Sequence, residues 1–134
     1  MKKAILKAIP AAILASVCLT TAASAYIDMG DSISYYVSSS SQKWDNKTST
    51  WAWYLNYPAD CNFSGTVTSN CKANYTLNQW TFNQSEKEIR KMEDQTADFS
   101  SFITARELVE DDYFARVTYV SGGVNTGTVT FKKV

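Results

Sequence analysis

The stretch Thr50-Trp51-Ala52-Trp53-Tyr54-Leu55-Asn56-Tyr57 sets Trp51, Trp53, Leu55 and Tyr57 on one parity and Ala52, Tyr54 and Asn56 on the other. Period-two alternation among aromatic and bulky residues marks a β-strand with one buried face, because successive side chains of an extended chain point to opposite sides. Trp51 and Trp53 are therefore expected in the core beside Leu55. Pro58 has no N–H to give a ladder and, with Asp60, ends the strand.

The same alternation recurs outward from this point. Upstream, Ile33, Tyr35 and Val37 alternate within residues 32–40, followed by a polar connection over 38–46. Downstream, a short strand is expected around 63–68, then a turn at Ser69-Asn70. Ala73, Tyr75 and Leu77 share a face, but Trp80 and Phe82 have the other parity, which predicts a bulge near Asn78-Gln79 or two separate strands. Ser85-Glu86-Lys87-Glu88 fits a capping box, and with Ile89 and Met92 three apart it predicts a short helix near residues 86–95, with an exposed strand as the alternative. Residues 99–105 and 113–121 read as further strands; Tyr113, Ala115, Val117 and Tyr119 share a face. Residues 121–127, with Gly122, Gly123 and Gly127, read as a hairpin loop before a last strand over 128–134, and Lys132 and Lys133 would guard that strand at an edge. About seven short strands separated by turn signals give an all-β fold, a small antiparallel β-sandwich.

Ahead of the strands, Lys2, Lys3 and Lys7 precede the apolar stretch 8–19 and the small residues Ala23-Ser24-Ala25. This is the layout of a secretory signal peptide cleaved before Tyr26. Its apolar core is shorter than the roughly 20 residues a spanning helix needs, and Pro10 interrupts it. Val17 before Cys18 does not suit a lipoprotein signal. The expected organisation is a signal peptide over 1–25 and a single domain over 26–134, exported to the periplasm or the extracellular medium. Removing three lysines from 13 basic residues leaves 10 against 13 acidic, a net charge of −3. Such a surface lacks the basic stripe that a phosphate backbone requires, so no nucleic-acid partner is expected. No second apolar segment approaches membrane-spanning length, so no membrane span is expected after cleavage.

Two cysteines remain, Cys61 and Cys71, and an exported chain meets an oxidising compartment, so a disulfide between them is expected. Their separation does not suit a redox pair, and a thiolate zinc site would need more soft ligands. The chain contains no histidine, which removes Ser-His-Asp and Cys-His nucleophiles and the usual neutral-pH proton shuttle. Glu86, Glu88, Glu93, Glu107 and Glu110 would serve glycoside hydrolysis only if two faced each other across a cleft. Glu110-Asp111-Asp112 reads as a solvated turn rather than a calcium site. No enzyme activity, cofactor or metal is expected.

Binding is the remaining class. Trp44 lies in the polar stretch 41–47 and is expected to be exposed, while Tyr35, Tyr36 and Tyr54 are expected to line an outer sheet face beside Trp80 as an aromatic platform, with ordinary strand filling as the equal alternative. A protein partner is the first expectation, in the manner of inhibitors, immunity proteins or adhesive subunits. A glycan is the second, and it requires Trp44, Tyr54 and Trp80 to lie exposed and coplanar on one face.

Trp51-Ala52-Trp53-Tyr54-Leu55 is similar to the core-tryptophan strand of immunoglobulin-like domains, with Trp53 in the buried position. Phe102-Ile103-Thr104 and then residues 108–115 resemble the penultimate strands of that fold, with Tyr113 in the place of the tyrosine corner, and Gly127-Thr128-Val129-Thr130-Phe131 resembles the terminal strand. The resemblance spans residues 48–134 and implies a two-sheet sandwich centred on Trp53. Ala115 stands where antibody-type domains carry the second core cysteine, so the usual inter-sheet bridge is not implied. This architecture hosts adhesins, chaperones, inhibitors and sugar-binding modules alike, so it leaves the partner open.

Overall fold

The computed structural model describes residues 26–49, 51–81 and 85–134; the expected signal peptide, Thr50 and Phe82 lie outside them. Two antiparallel sheets pack face to face. The first runs β1 (Tyr26–Ile27), β4 (Ala52–Leu55), β9 (Asp111–Ser121), β6 (Lys72–Trp80) and β7 (Glu86–Gln95), with β3 (Lys43–Asp45) also paired to β9. The second runs β2 (Ser32–Val37), β10 (Asn125–Lys133), β5 (Cys61–Gly65) and β8 (Phe99–Ile103). The short contact of β1 with β4 is parallel. A four-residue helix, α1 (Asn46–Ser49), and a 3-10 turn (Ala105–Glu107) complete the described elements.

Alternation sends Ile33, Tyr35 and Val37 from β2, Phe63 from β5 and Val129 and Phe131 from β10 into the space between the sheets, against Trp53, Leu55, Tyr75, Leu77, Tyr113 and Val117. Phe131 packs edge-on to Trp53 at 6.1 Å between ring centroids and tilted against Tyr113 at 5.3 Å. Trp53 is wholly buried, and truncating such a side chain to Ala costs about 3–5 kcal/mol. The Tyr113 hydroxyl donates to the Val109 carbonyl at 2.9 Å and accepts the Val109 N–H at 3.0 Å, pinning the chain where it enters β9.

Both sheets are also joined by polar groups inside the core. The Tyr35 and Tyr75 hydroxyls, from opposite sheets, share a hydrogen bond of 2.6 Å. The Asn125 carboxamide donates to Tyr75 at 3.2 Å and accepts the Thr68 N–H at 3.0 Å, while Tyr35 donates to the Thr66 carbonyl at 2.5 Å. Burial pushes both tyrosine pKa values up, which keeps the pair neutral.

Several local expectations are corrected. Residues 86–95 are a strand, not a helix: β6 presents a ladder to them, and the Ser85 carbonyl accepts the Thr81 N–H at 3.0 Å just before that ladder begins. The capping box that does form is Thr104 with Glu107 on the 3-10 turn. β6 is one strand that does not change face: its register with β9 runs unbroken from Ala73 to Trp80, so Trp80 points outward with Thr76 and Asn78, and the shift in the β6–β7 register falls on β7, where Ile89 is the extra residue. Residues 121–127 are not a hairpin loop, since β9 and β10 belong to different sheets. Gly122, at φ 99°, makes the crossing, and a Cβ there would stand 2.5 Å from the Asn70 carbonyl oxygen. Flanked by β2 and β5, β10 is interior, so Lys132 and Lys133 guard no edge. Trp51 is 43% exposed rather than in the core, because the strand begins only at Ala52.

The expected Cys61–Cys71 disulfide is absent; both thiols are free and buried. Cys61 sits opposite Lys133, at the end of β10, whereas the Cys71 Sγ lies 3.4 Å from the Val124 carbonyl, just before β10 begins. Extended chain from Val124 to Lys133 covers on the order of 30 Å, and a disulfide needs Cα atoms within about 7 Å. The intervening residues form β5, a turn with Asn70 at φ 66°, and the entry to β6 in the other sheet.

On one flank of β9, β3 pairs up to Arg116 and β4 pairs from Tyr113 downward. In the gap between them the Asn46 Oδ1 accepts the buried Ala115 N–H at 2.7 Å, and the Asn46 Nδ2 donates to the Trp51 carbonyl at 3.0 Å. Asn46→Ala orphans that N–H, so urea unfolding followed by tryptophan fluorescence is expected to show a loss of about 1–3 kcal/mol. In the chain lacking residues 1–25, a thiol reagent is expected to label neither Cys61 nor Cys71 until urea unfolds the protein, and then to label both.

Candidate functional site

Register builds the outer face of the first sheet row by row. Tyr54, Asp112, Trp80 and Glu86 lie side by side across β4, β9, β6 and β7. The next row holds Phe114, Asn78 and Glu88, and the next Asp45, Arg116, Thr76 and Lys91. Phe114 points outward yet is wholly buried, because α1 follows β3 in place of further ladder and brings Lys47 over it. The Lys47 ammonium stands 5.0 Å from the Phe114 ring centroid and 5.2 Å from that of Trp80, and the Arg116 guanidinium is 5.1 Å from Phe114. Trp80 and Phe114 meet edge-on at 6.4 Å. Cations over aromatic faces contribute roughly 0.5–2 kcal/mol each, more where water is excluded.

Charges lock this cover. Lys47 pairs with Glu86, and Arg116 reaches Glu86 at 3.2 Å and Asp45 at 3.5 Å. The hydrogen bond from Lys47, and then those from Arg116, hold the Glu86 carboxyl below its usual range. Asp112 is the opposite case: burial, with Asp111 adding like-charge repulsion, pushes its pKa up to about 6. Its Oδ1 has no hydrogen-bond partner among the described residues, nor has the Arg116 Nε. Tyr54 donates to the Glu110 carboxylate, and the Gln79 side chain donates to Asp111 at 2.9 Å. Beyond Tyr54 a groove of about 420 Å³ opens, lined by Ile27, Asp28, Met29, Tyr54, Asn56 and Lys133.

Of the residues expected to bind, the fold brings two together: Tyr54 and Trp80 flank Asp112 in one row. Trp44 is corrected. It lies in β3 opposite Val117, half-buried and facing inward, with its ring 6.1 Å from that of Tyr35, which faces the core as well. Tyr36 is 48% exposed, but on the outer face of the second sheet, opposite Thr126. Lys47, Phe114 and Arg116 were not singled out from sequence. The one signal was the bulky outward parity of Phe114 between Tyr113 and Ala115.

Among the described residues no group of three or more His, Cys, Asp or Glu could hold a metal. The glutamates weighed for hydrolysis are largely committed to cations: Glu86 to Lys47 and Arg116, Glu93 to Lys91, and Glu107 to Arg90, whose hydrogen bond lowers the Glu107 pKa to about 2. No helix among the described residues is long and apolar enough to cross a membrane.

No protein-family model and no curated protein matches the chain. Among solved structures, the crystal structure of the pre-peptidase C-terminal domain of a collagenase from Bacillus anthracis is similar, with a TM-score of 0.60 and 8% identity over 80% of this chain and 92% of that one. At that identity the likeness is one of fold. A structure of infectious bursal disease virus, Gx strain, aligns at a TM-score of 0.31 with 9% identity over 75% of this chain and 34% of that one, too loosely to carry an argument.

Because the folded-state pKa of Asp112 stands above its ordinary 3.8, the native chain holds this proton at pH values where the unfolded chain has lost it. Stability from this group therefore falls as pH rises from about 4 to about 6. Asp112→Asn is expected to raise the melting temperature at pH 7.5 and to leave it nearly unchanged at pH 3.5, as thermal melts at the two pH values would show.

Proposed function

We propose that residues 26–134 form an exported, non-catalytic binding domain that docks a protein partner on the outer face of the first sheet. The signal-like layout of residues 1–25 supports export. The observation that carries the docking surface is the partly exposed Trp80 among the charged side chains of Lys47 and Glu86, with Trp51, 43% exposed, held to the segment that carries Lys47 by the bond from Asn46 to its carbonyl. Aromatic anchors inside a polar rim are the usual anatomy of a protein-binding hot spot. The fold likeness to a C-terminal domain of a collagenase is compatible with a binding role. Trp53 and Tyr113 support an immunoglobulin-like core, although the last two strands lie in different sheets where that family pairs them as a hairpin.

A glycan platform finds less support on this face. Stacking on sugars needs open ring faces; Trp44 is turned inward and the Trp80 ring lies under Lys47.

The protein immobilised after export, and exposed to envelope extract, is expected to retain one stoichiometric protein. Trp51→Ala is expected to weaken that complex about 10- to 30-fold, the effect of losing an aromatic anchor worth roughly 1.4–2 kcal/mol. Titration with envelope glycans, followed by tryptophan fluorescence, runs beside it. A saturable glycan response with no retained protein would overturn the proposal.

A further inference from the structure

A carboxylate drawn out of water is held by hydrogen bonds or by a cation, because an ionised group that loses its hydration without either is costly. On the outer face of the first sheet, Glu86 is paired with Lys47 and Arg116, and Asp45 with Arg116. Asp112 departs from this pattern. Its Oδ1 is shut off from solvent and accepts no hydrogen bond, and among the described residues no cation offsets its charge.

The groups around Asp112 do not supply one. β4 contributes Tyr54, β6 contributes Trp80 and Gln79, and β7 contributes Glu86 beyond Trp80. The approach to β9 adds two more carboxylates, with Glu110 accepting from Tyr54 and Asp111 from Gln79 at 2.9 Å. Lys47, from α1, stands over the Trp80 ring and is held by Glu86. Tyr54 and Trp80 lie two strands apart with Asp112 between them, a span of roughly 10 Å. All three are partly exposed. The row is thus an uncompensated carboxylate between two rings, on the face read above as the docking surface.

We infer that this row receives an arginine side chain of the docked protein, with its guanidinium over Asp112 between Tyr54 and Trp80. The inference rests on the docking reading and names what that partner presents. A guanidinium supplies what the row lacks: positive charge, several N–H donors for a carboxylate, and a flat, weakly hydrated surface that stacks on a ring. Lys47 already occupies the Trp80 ring, so Tyr54 offers the stacking surface and Trp80 the opposite wall. An ammonium is strongly hydrated and does not stack, so lysine fits less well. Proton and guanidinium compete for the same carboxylate. Burial, with Asp111 beside it, puts the Asp112 pKa at about 6, so the ionised form that pairs with a cation is populated above that pH. Binding therefore strengthens as pH rises through about 6.

The probe is the peptide acetyl-Gly-Arg-Gly-amide, titrated into the exported chain at pH 7.5 and followed by amide and indole NMR signals. Saturable shifts at Tyr54, Trp80 and Asp112 are expected, with dissociation on the order of 1–10 mM. The same peptide with citrulline, which keeps the shape without the charge, is expected to bind at least tenfold more weakly, and binding at pH 4.5 to be several-fold weaker than at pH 7.5. Asp112→Asn, which is expected to fold more stably at pH 7.5, is expected to weaken binding at least tenfold. Tyr54→Leu, checked for fold by circular dichroism, is expected to weaken it several-fold. No saturable shift with the arginine peptide, equal binding of the lysine or citrulline peptide, or binding that Asp112→Asn leaves unchanged would each overturn the inference. The envelope protein retained by the immobilised chain separates the two readings. A complex weakened by Trp51→Ala but untouched by Asp112→Asn keeps the docking face and removes the arginine. A complex that ignores both substitutions, beside an arginine peptide that binds as expected, removes the docking face and keeps the guanidinium site.

Discussion

Ala115 lies in the middle of the central strand of the first sheet, and its buried amide is met by the carboxamide of Asn46 rather than by a neighbouring strand. A backbone N–H left unpaired at that depth costs about as much as a lost hydrogen bond plus its desolvation. Because one side chain satisfies it, the chain is free to leave the ladder after Asp45 and rejoin it at Ala52. The turn of helix over Asn46–Ser49 takes the place of the ladder there and sets Lys47 over Trp80 and Phe114. The candidate site exists because a side chain replaces one rung of a sheet.

Two other polar contacts set the geometry in which this happens. The Tyr35–Tyr75 bond spans the interior, and with Asn125 and the Thr66 and Thr68 backbone it satisfies polar atoms that would otherwise be stranded among apolar neighbours. Fully connected networks of this kind favour one alignment of the sheets over nearby alternatives. The Tyr113 hydroxyl does the same at the opposite end, fixing the approach to β9 before its register with β4 and β6 begins. Arg90 then ties the rims of both sheets through Glu107 and Phe102.

What was legible in the sequence was burial by parity. The alternations in β2, β4, β6 and β9 identified Trp53, Tyr75 and Tyr113 as interior, whereas the change of face expected near Asn78-Gln79 does not occur, since Trp80 keeps the outward parity of Thr76 and Asn78. Parity fails where a bulge interrupts a strand. In β7 Ile89 is the extra residue opposite Leu77 and Asn78, so Ile89 and Met92 both pack against the core although three apart, and imitate a helix. It fails again where the chain departs from the ladder. Trp51 shares the parity of Trp53 but precedes the strand, and Trp44 sits among polar residues yet belongs to a strand facing inward. Which sheet a strand joins is not a local property at all, so the passage of Gly122-Gly123 between layers could not be separated from a hairpin. For the site, Tyr54 and Trp80 followed from parity, whereas Lys47 depended on an excursion with no local signature.

The positions of Cys61 and Cys71 impose an order of events on the chain's early life. While the chain is unfolded the two thiols are close in sequence, and closing so short a loop carries a small entropic cost. Once folded they occupy opposite poles of the sandwich, and burial raises the Cys61 pKa to about 11, which suppresses the reactive thiolate. A bridge formed first would tether residues that the native sheets hold far apart, and a chain so tethered cannot complete either sheet. In an oxidising compartment the yield of native protein is thus decided by a race, with folding against an oxidant that closes a dead end.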